Sequence, residues 1–177
     1  MTRSVEECVA DLSSPDGITR DQALAMLVSY GTRATAALLP LLDGDDPELR
    51  ARAASGLAYI ADPSSADRLF RSLDDRDPRV RSQSAWGLFR MRDPRALDAL
   101  VKTIDDYPHP TMTACTLSSD ALVAMGEPAL PRVAELLASP SVETRRRARL
   151  VILTVAPKLA PDEAAKWRER VAAAERA

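Results

Sequence analysis

The chain has 177 residues, enough for one domain with a continuous core; 46% are hydrophobic but only 4% aromatic. A core with so few rings is filled by Leu, Val, Ile and Ala, the composition of closely packed helices. A net charge of −2 leaves no general field for a phosphate backbone and argues against nucleic acid as partner. Among the 24 basic residues only Lys102, Lys158 and Lys166 are lysines, and this Arg bias, with abundant Ala, reads as the mark of a GC-rich bacterial genome.

Ser4-Val5-Glu6-Glu7 has the form of a capping box and opens a helix over about 4–13. From there a two-helix unit recurs. First helices are expected at about 33–43, 64–74, 95–105 and 128–138, with second helices at about 17–30, 47–60, 78–91, 111–125 and 140–156. Pro15, Pro47, Pro78, Pro110 and Pro140 are spaced by 32, 31, 32 and 30, and each is expected at the first position of a second helix. Asp46, Asp77 and Ser139 precede three of them as expected N-caps. Asp62-Pro63, Asp93-Pro94 and Glu127-Pro128 start the first helices of the later pairs. Leu49, Ala53, Leu57 and Ile60 form one buried stripe, repeated by Val80, Ser84, Leu88 and Met91. Pro161-Asp162-Glu163 begins a last helix over about 161–176, with Trp167 and Val171 on one face, suited to close a stack of repeats. No strand and no flexible linker stands out. The expectation is one domain over 1–177 with pairs at about 4–30, 33–60, 64–91, 95–125 and 128–156.

Cys8 and Cys115 lie far apart on apolar stretches and read as reduced core residues. No charged-then-apolar leader and no run of about 18 apolar residues is visible, so a cytoplasmic protein without a membrane partner is expected.

These residues resemble the HEAT-repeat family, in particular the phycocyanobilin-lyase-type HEAT-like repeats. The pattern there runs, loosely, Asp-Pro, Val-Arg, Ala-Ala, Ala-Leu, then Ile-Gly-Asp-Pro-Ala. Here it stands as Asp46-Pro47-Glu48-Leu49-Arg50, Ala53-Ala54, Gly56-Leu57, Ile60-Ala61-Asp62-Pro63. It returns as Asp77-Pro78-Arg79-Val80-Arg81, Ser84-Ala85, Gly87-Leu88, Met91-Arg92-Asp93-Pro94. The match is strong over 33–105 and weaker outside. It implies an all-α fold, an α–α superhelix (HEAT-like solenoid) of five helix pairs plus a C-terminal capping helix, with the second helices on the concave face. It also implies several functions: scaffolds, lyase subunits for bilin chromophores, DNA-repair glycosylases and an iron hydroxylase. A fold alone does not choose among them.

The residues narrow the choice. His109 is the only histidine, which excludes a His-rich iron site and removes the usual base for a Ser or Cys nucleophile. No Gly-rich phosphate loop occurs among six glycines. No catalytic residue, metal or cofactor is therefore assigned. Asp43, Asp74 and Asp105 recur at 31-residue steps, as do Arg50 and Arg81; they either line a charged groove or tie neighbouring repeats together. Arg145-Arg146-Arg147 with Arg149 spreads around its helix and either meets an acidic partner or a phosphate, or pairs in part with Glu143, Asp162 or Glu163. The irregular Asp105–Asp120 region, rich in hydroxyls, is either grafted function or a tolerated loop. Off the buried stripes of the second helices stand Arg52, Tyr59, Gln83, Trp86, Phe89, Arg90 and Asp120. Trp, Tyr and Arg most often anchor interfaces, so these residues are the expected site for another protein, with Trp86 at its centre. A groove holding a small aromatic ligand, as in a bilin-lyase-type enzyme subunit, is the alternative.

Overall fold

A computed structural model describes residues 3–106, 108–109 and 112–176, without the side chains of 108, 109 and 112–114. The chain divides into two compact units, the first ending at Ala96 and the second beginning at Leu97.

The first unit opens with α1 (Val5–Asp11), whose N-cap Ser4 accepts from the Glu7 amide while the Glu7 carboxylate accepts from the Ser4 amide, the full capping box. α2 (Gly17–Tyr30) follows, capped by Asp16. A first-helix segment then runs from Gly31 to Asp43 as a 3₁₀ turn, α3 (Thr35–Leu38) and a second 3₁₀ turn containing Pro40. α4 (Pro47–Ile60) is the next second helix, with Pro47 at the helix start and Asp46 as cap. The pattern repeats as a 3₁₀ turn at Pro63–Ser65, α5 (Ala66–Arg71), a 3₁₀ turn at Ser72–Asp74, and α6 (Pro78–Arg90) capped by Asp77. Second helices are long and regular; first helices are short and flanked by 3₁₀ turns. Prolines in their first turns remove backbone donors, and tighter i→i+3 bonds take over at the ends.

α2, α4 and α6 lie side by side, α4 packing on both of its neighbours. Ala53, Ala54, Leu57 and Ala58 from α4 meet Val80, Ala85 and Leu88 from α6 in a core sealed by Leu38, Leu42, Leu69 and Leu73. Leu49, Ile60 and Met91 of the expected stripes are half-buried at its margins. Two glycines permit the closeness. A Cβ at Gly87 would stand 2.6 Å from Leu69 Cδ1 and 3.2 Å from Ala58 Cβ, and one at Gly56 would meet Leu24 and Leu38 at 3.1 Å.

By length and composition alone, Gly17–Asp43 (27 residues, mean hydropathy 1.2) would suffice to cross a membrane. The backbone breaks it at Gly31, where φ is 60°, so α2 and α3 are separate elements, packed against α4 on successive turns of the chain.

The second unit contains α7 (Ala96–Lys102, from Leu97 onward), a short antiparallel ladder of β1 (Pro108–His109) and β2 (Met112–Thr116), and α8 (Leu117–Met125). After a 3₁₀ turn at Glu127–Ala129 come α9 (Leu130–Glu135), α10 (Val142–Val155) and α11 (Pro161–Arg176). α10 packs on α8, α9, β2 and α11 around buried Leu122, Leu130, Val133, Val151 and Ile152. α11 buries Ala164 and Val171, half-buries Trp167 and turns its charges outward, as a terminal cap requires.

Three expectations are corrected. The helix expected over 111–125 begins only at Leu117, and strand β2 takes the preceding residues. Thr116 stops the strand and starts the helix: its hydroxyl accepts from the Ser119 amide and Ser119 returns the bond, a capping box in the interior. Pro15 and Pro140 do not stand at helix starts. Asp16 and Ser141 are the caps instead, so Ser139 is not. Pro110 lies outside the described residues.

Candidate protein-interaction face

Repeats of equal length put residues 31 apart at equivalent points on adjacent second helices. Three side-chain contacts confirm the register, each joining partners 31 apart. Arg52 Nη1 donates to Asp21 Oδ1 at 3.2 Å, Arg79 pairs with Glu48, and Arg90 Nη2 reaches the Tyr59 carbonyl at 3.5 Å. Four rows therefore cross the first unit's second-helix layer.

Two rows are charged. Asp21, Arg52, Glu48, Arg79 and Asp77 form one continuous chain of ion pairs. Arg52, expected as a partner contact, is largely covered and already bound to two carboxylates. Gln83, next in its row, is half-buried with Oε1 unbonded.

The other two rows are mainly apolar and carry a single charge. Leu24, Ser55 and Trp86 form one; Val28, Tyr59 and Arg90 form the next. Tyr59 meets Trp86 edge-on, ring centroids 4.8 Å apart at 73°, an arrangement favoured by ring quadrupoles. The Arg90 guanidinium stacks over the Trp86 ring at 5.1 Å. Trp86 is half-buried, Arg90 exposed and Tyr59 51% exposed. Phe89 is half-buried on α6, and Asp120 is exposed on α8 in the second unit. The structure thus joins Tyr59, Trp86 and Arg90 in one cluster. Leu24 and Val28 complete their rows; the 31-residue offset from Ser55 and Tyr59 was the sequence signal for both.

The recurring charges tie repeats together. Arg50 donates Nε and Nη2 to Asp75 at 2.8 and 3.0 Å, and Arg68 pairs with Asp43. A further device was not foreseen. Arg20, Arg50, Arg81 and Arg145 each fold back so that Nη1 donates to the carbonyls five and six residues earlier, pinning the turn before a second helix. The Arg145–Arg149 run is also engaged internally: Arg146 with Glu143, Arg147 with Asp105, Arg149 with Glu175.

The hydroxyls of 116–119 are structural. Thr116 Oγ1 donates to the Ile104 carbonyl at 2.8 Å, and Ser118 bonds Thr103 at 2.7 Å, all buried. A cleft of about 710 Å³ lies along the turns at Gly44 and Asp75, and one of about 660 Å³ lies between Leu137–Ser139 and Ala174–Glu175. Of their arginines, Arg50, Arg145 and Arg149 already have the partners given above, and Arg76 stands exposed at the rim of the first. Among the described residues no three His, Cys, Asp or Glu side chains are placed to hold a metal. Burial raises the Cys8 thiol above its ordinary pKa, so it is a core residue rather than a thiolate.

Paired helices, in constant register across the first unit, define a helical-repeat protein of HEAT-like fold; among the described residues the helices fall into five successive pairs followed by a last helix, and the short β1–β2 ladder is the one departure from helix and turn. Residues 35–119 match the family model of HEAT repeats. A search of curated protein sequences finds no match. Among solved structures, the chain is similar to one in the complex of CpcE and CpcF of phycocyanin lyase from Nostoc sp. PCC7120. That likeness has a TM-score of 0.59 at 23% identity and covers 92% of this chain and 68% of that one. It is also similar to a designed armadillo repeat protein, with a TM-score of 0.50 and 21% identity over 97% of this chain and 90% of that one. At these identities the likeness is one of fold.

Proposed function

We propose that the chain is a non-catalytic protein-interaction module, working in the cytoplasm, whose docking face is the second-helix layer of the first unit. The observation that carries this reading is the Tyr59–Trp86–Arg90 cluster. Two large rings and a guanidinium are held in fixed geometry at the surface, with Tyr59 half-exposed, in a chain otherwise poor in aromatics. Anchors of this kind supply contact area at low ordering cost, because their neighbours on packed helices already fix them. Gln83 and Phe89 flank the cluster on α6, and Arg52 belongs to the charged row beside it. The CpcE–CpcF structure supports the reading as a case where a chain of similar fold assembles with another protein.

The test is site-directed crosslinking in extract of the native host. A photo-reactive benzoylphenylalanine replacing Tyr59 should capture a protein that the same probe at Arg71, on a first helix, does not. Trp86→Ala should abolish capture while leaving helical circular dichroism unchanged. Capture independent of Trp86, or loss of fold in Trp86→Ala, would refute this docking face.

A further inference from the structure

Building on that reading, we infer that the partner docks through a short segment pairing an aliphatic or aromatic side chain with a carboxylate. The ring and side chain fill the Leu24–Val28–Tyr59–Trp86 band, and the carboxylate meets Arg90.

Charge is distributed unevenly over the first unit's second helices. In the charged rows each ion is already matched: Asp21 and Glu48 hold Arg52, Glu48 and Asp77 hold Arg79. In those rows every ion is paired, three carboxylates to two guanidinia, so no cation is left to attract a partner's acid. One turn further along the same helices the surface becomes apolar, and there the cation is treated differently. Arg90 is exposed; among the described residues it forms no ion pair, and it meets the Trp86 ring and the Tyr59 carbonyl. The ring contact and the Tyr59 carbonyl restrain the exposed guanidinium, and its remaining N–H donors are available to a carboxylate, which Arg binds through paired hydrogen bonds. An apolar band ending in an oriented, unneutralised guanidinium is complementary to an apolar residue followed by Asp or Glu. A basic segment would place like charge against Arg90.

The experiment selects peptides from a phage-displayed random dodecamer library on the full-length protein. Binders are then measured as synthetic fluorescent peptides against wild type, Trp86→Ala, Arg90→Gln and Arg90→Lys. Selected peptides should share an aliphatic or aromatic residue next to Asp or Glu and should lose binding to Trp86→Ala. Arg90→Gln should weaken them about tenfold, the scale of one charge-assisted hydrogen-bonded contact, with Arg90→Lys in between and raised salt acting in the same direction. Peptides that need Trp86 yet carry no acid, or that bind Arg90→Gln as well as wild type, overturn the carboxylate inference and leave the docking face standing. A library yielding no Trp86-dependent binder overturns both. Concentration-dependent self-association abolished by Trp86→Ala would show that a second copy is the occupant and would also overturn the inference.

Discussion

Asp75, in the turn before α6, accepts two hydrogen bonds from Arg50 on α4, from Nε at 2.8 Å and from Nη2 at 3.0 Å, across 25 residues of sequence. Both side chains are largely covered, at 14% and 12% exposure. The same guanidinium pins the carbonyls of Gly44 and Asp45, so a single residue fixes two successive turns. Arg50→Ala should therefore cost roughly 2–3 kcal/mol, above the range of an exposed ion pair. Arg50→Lys should recover less than half, since an ammonium cannot serve both turns at once. Urea denaturation of Arg50→Ala, Asp75→Asn and the double variant checks this: the double variant should be less destabilised than the sum of the singles.

The same turns predict the response to acid. Hydrogen bonds from Arg79 hold the Asp77 carboxyl below its ordinary pKa, and Arg95 does so for Asp93. Burial pushes Asp75 upward, but the Arg50 hydrogen bond and charge, with the Asp77 amide, outweigh it and leave the net shift downward. A carboxylate depressed in the folded state stabilises fully above its unfolded pKa of about 3.9 and loses that contribution as pH falls through the folded value. Stability should be flat from pH 7 to about 5 and fall steeply below about 4. In Asp75→Asn the fall should be shallower. Chemical denaturation at a series of pH values measures both slopes.

Two residues at equivalent places carry strain. Ala61 and Arg92 end α4 and α6 with φ of 55° and 57°, the left-handed region that L side chains disfavour. The Ala61 amide still donates to the Leu57 carbonyl, so the conformation is a working helix stop. HEAT-like repeats of the type this chain resembles have Gly there, and the left-handed stop is the physical reason. Ala61→Gly and Arg92→Gly should each stabilise the protein by about 0.5–1 kcal/mol, read as a raised melting temperature. A drop would mean that the side chains make contacts outweighing the strain.

Gly87 presents the reverse case. In an unpacked helix Gly→Ala gains about 1 kcal/mol. Here the added methyl would collide with Leu69 at 2.6 Å, and the backbone and side chain of Ala58 stand at 3.2–3.3 Å. Gly87→Ala should destabilise by about 1–3 kcal/mol as an overpacked core site. Gly56→Ala meets only the flexible ends of Leu24 and Leu38 at 3.1 Å, and should be near neutral. The contrast between two glycines 31 residues apart isolates packing from propensity.

Most of the first unit was legible because its signals are local and repeated. Asp46-Pro47 and Asp77-Pro78 mark helix starts through capping and a fixed φ, and Leu57 and Leu88 mark the buried stripe through helical spacing. The candidate face was legible in part: Trp86, Tyr59 and Arg90 come together as expected, because a constant period fixes their register. Arg52 reads as an interface arginine until its neighbours are in place, since ion pairing with Asp21 and Glu48 is a tertiary fact. The second unit was harder. Ser139-Pro140 has the form of a cap and helix start, yet Ser141 serves as the cap, because the turn carbonyls of Ser139 and Pro140 are bound by Arg145. Strand β2 was missed because its pairing depends on a partner strand rather than on its own period.

Thr116 shows how that irregular segment is held. It is fully buried, and its hydroxyl donates to the Ile104 carbonyl at 2.8 Å while accepting from the Ser119 amide at 3.1 Å. Ser119 Oγ completes the box, accepting from the Thr116 amide at 2.8 Å and donating to the Thr116 carbonyl at 2.9 Å. Thr103 donates its one hydroxyl proton to the Ala99 carbonyl, so in the adjacent contact Ser118 is the donor. Every hydroxyl in the cluster thus has a partner, and replacing that of Thr116 or Ser119 removes the partner of a buried backbone group. Thr116→Val keeps the shape but removes donor and acceptor together, stranding the Ile104 carbonyl and the Ser119 amide; it should cost about 2–4 kcal/mol. Thr116→Ser keeps both bonds and loses only a methyl, so it should cost about 1 kcal/mol. Denaturant melts of the two variants separate the roles. Equal destabilisation would mean that the methyl, not the hydrogen bonds, holds the strand-to-helix junction.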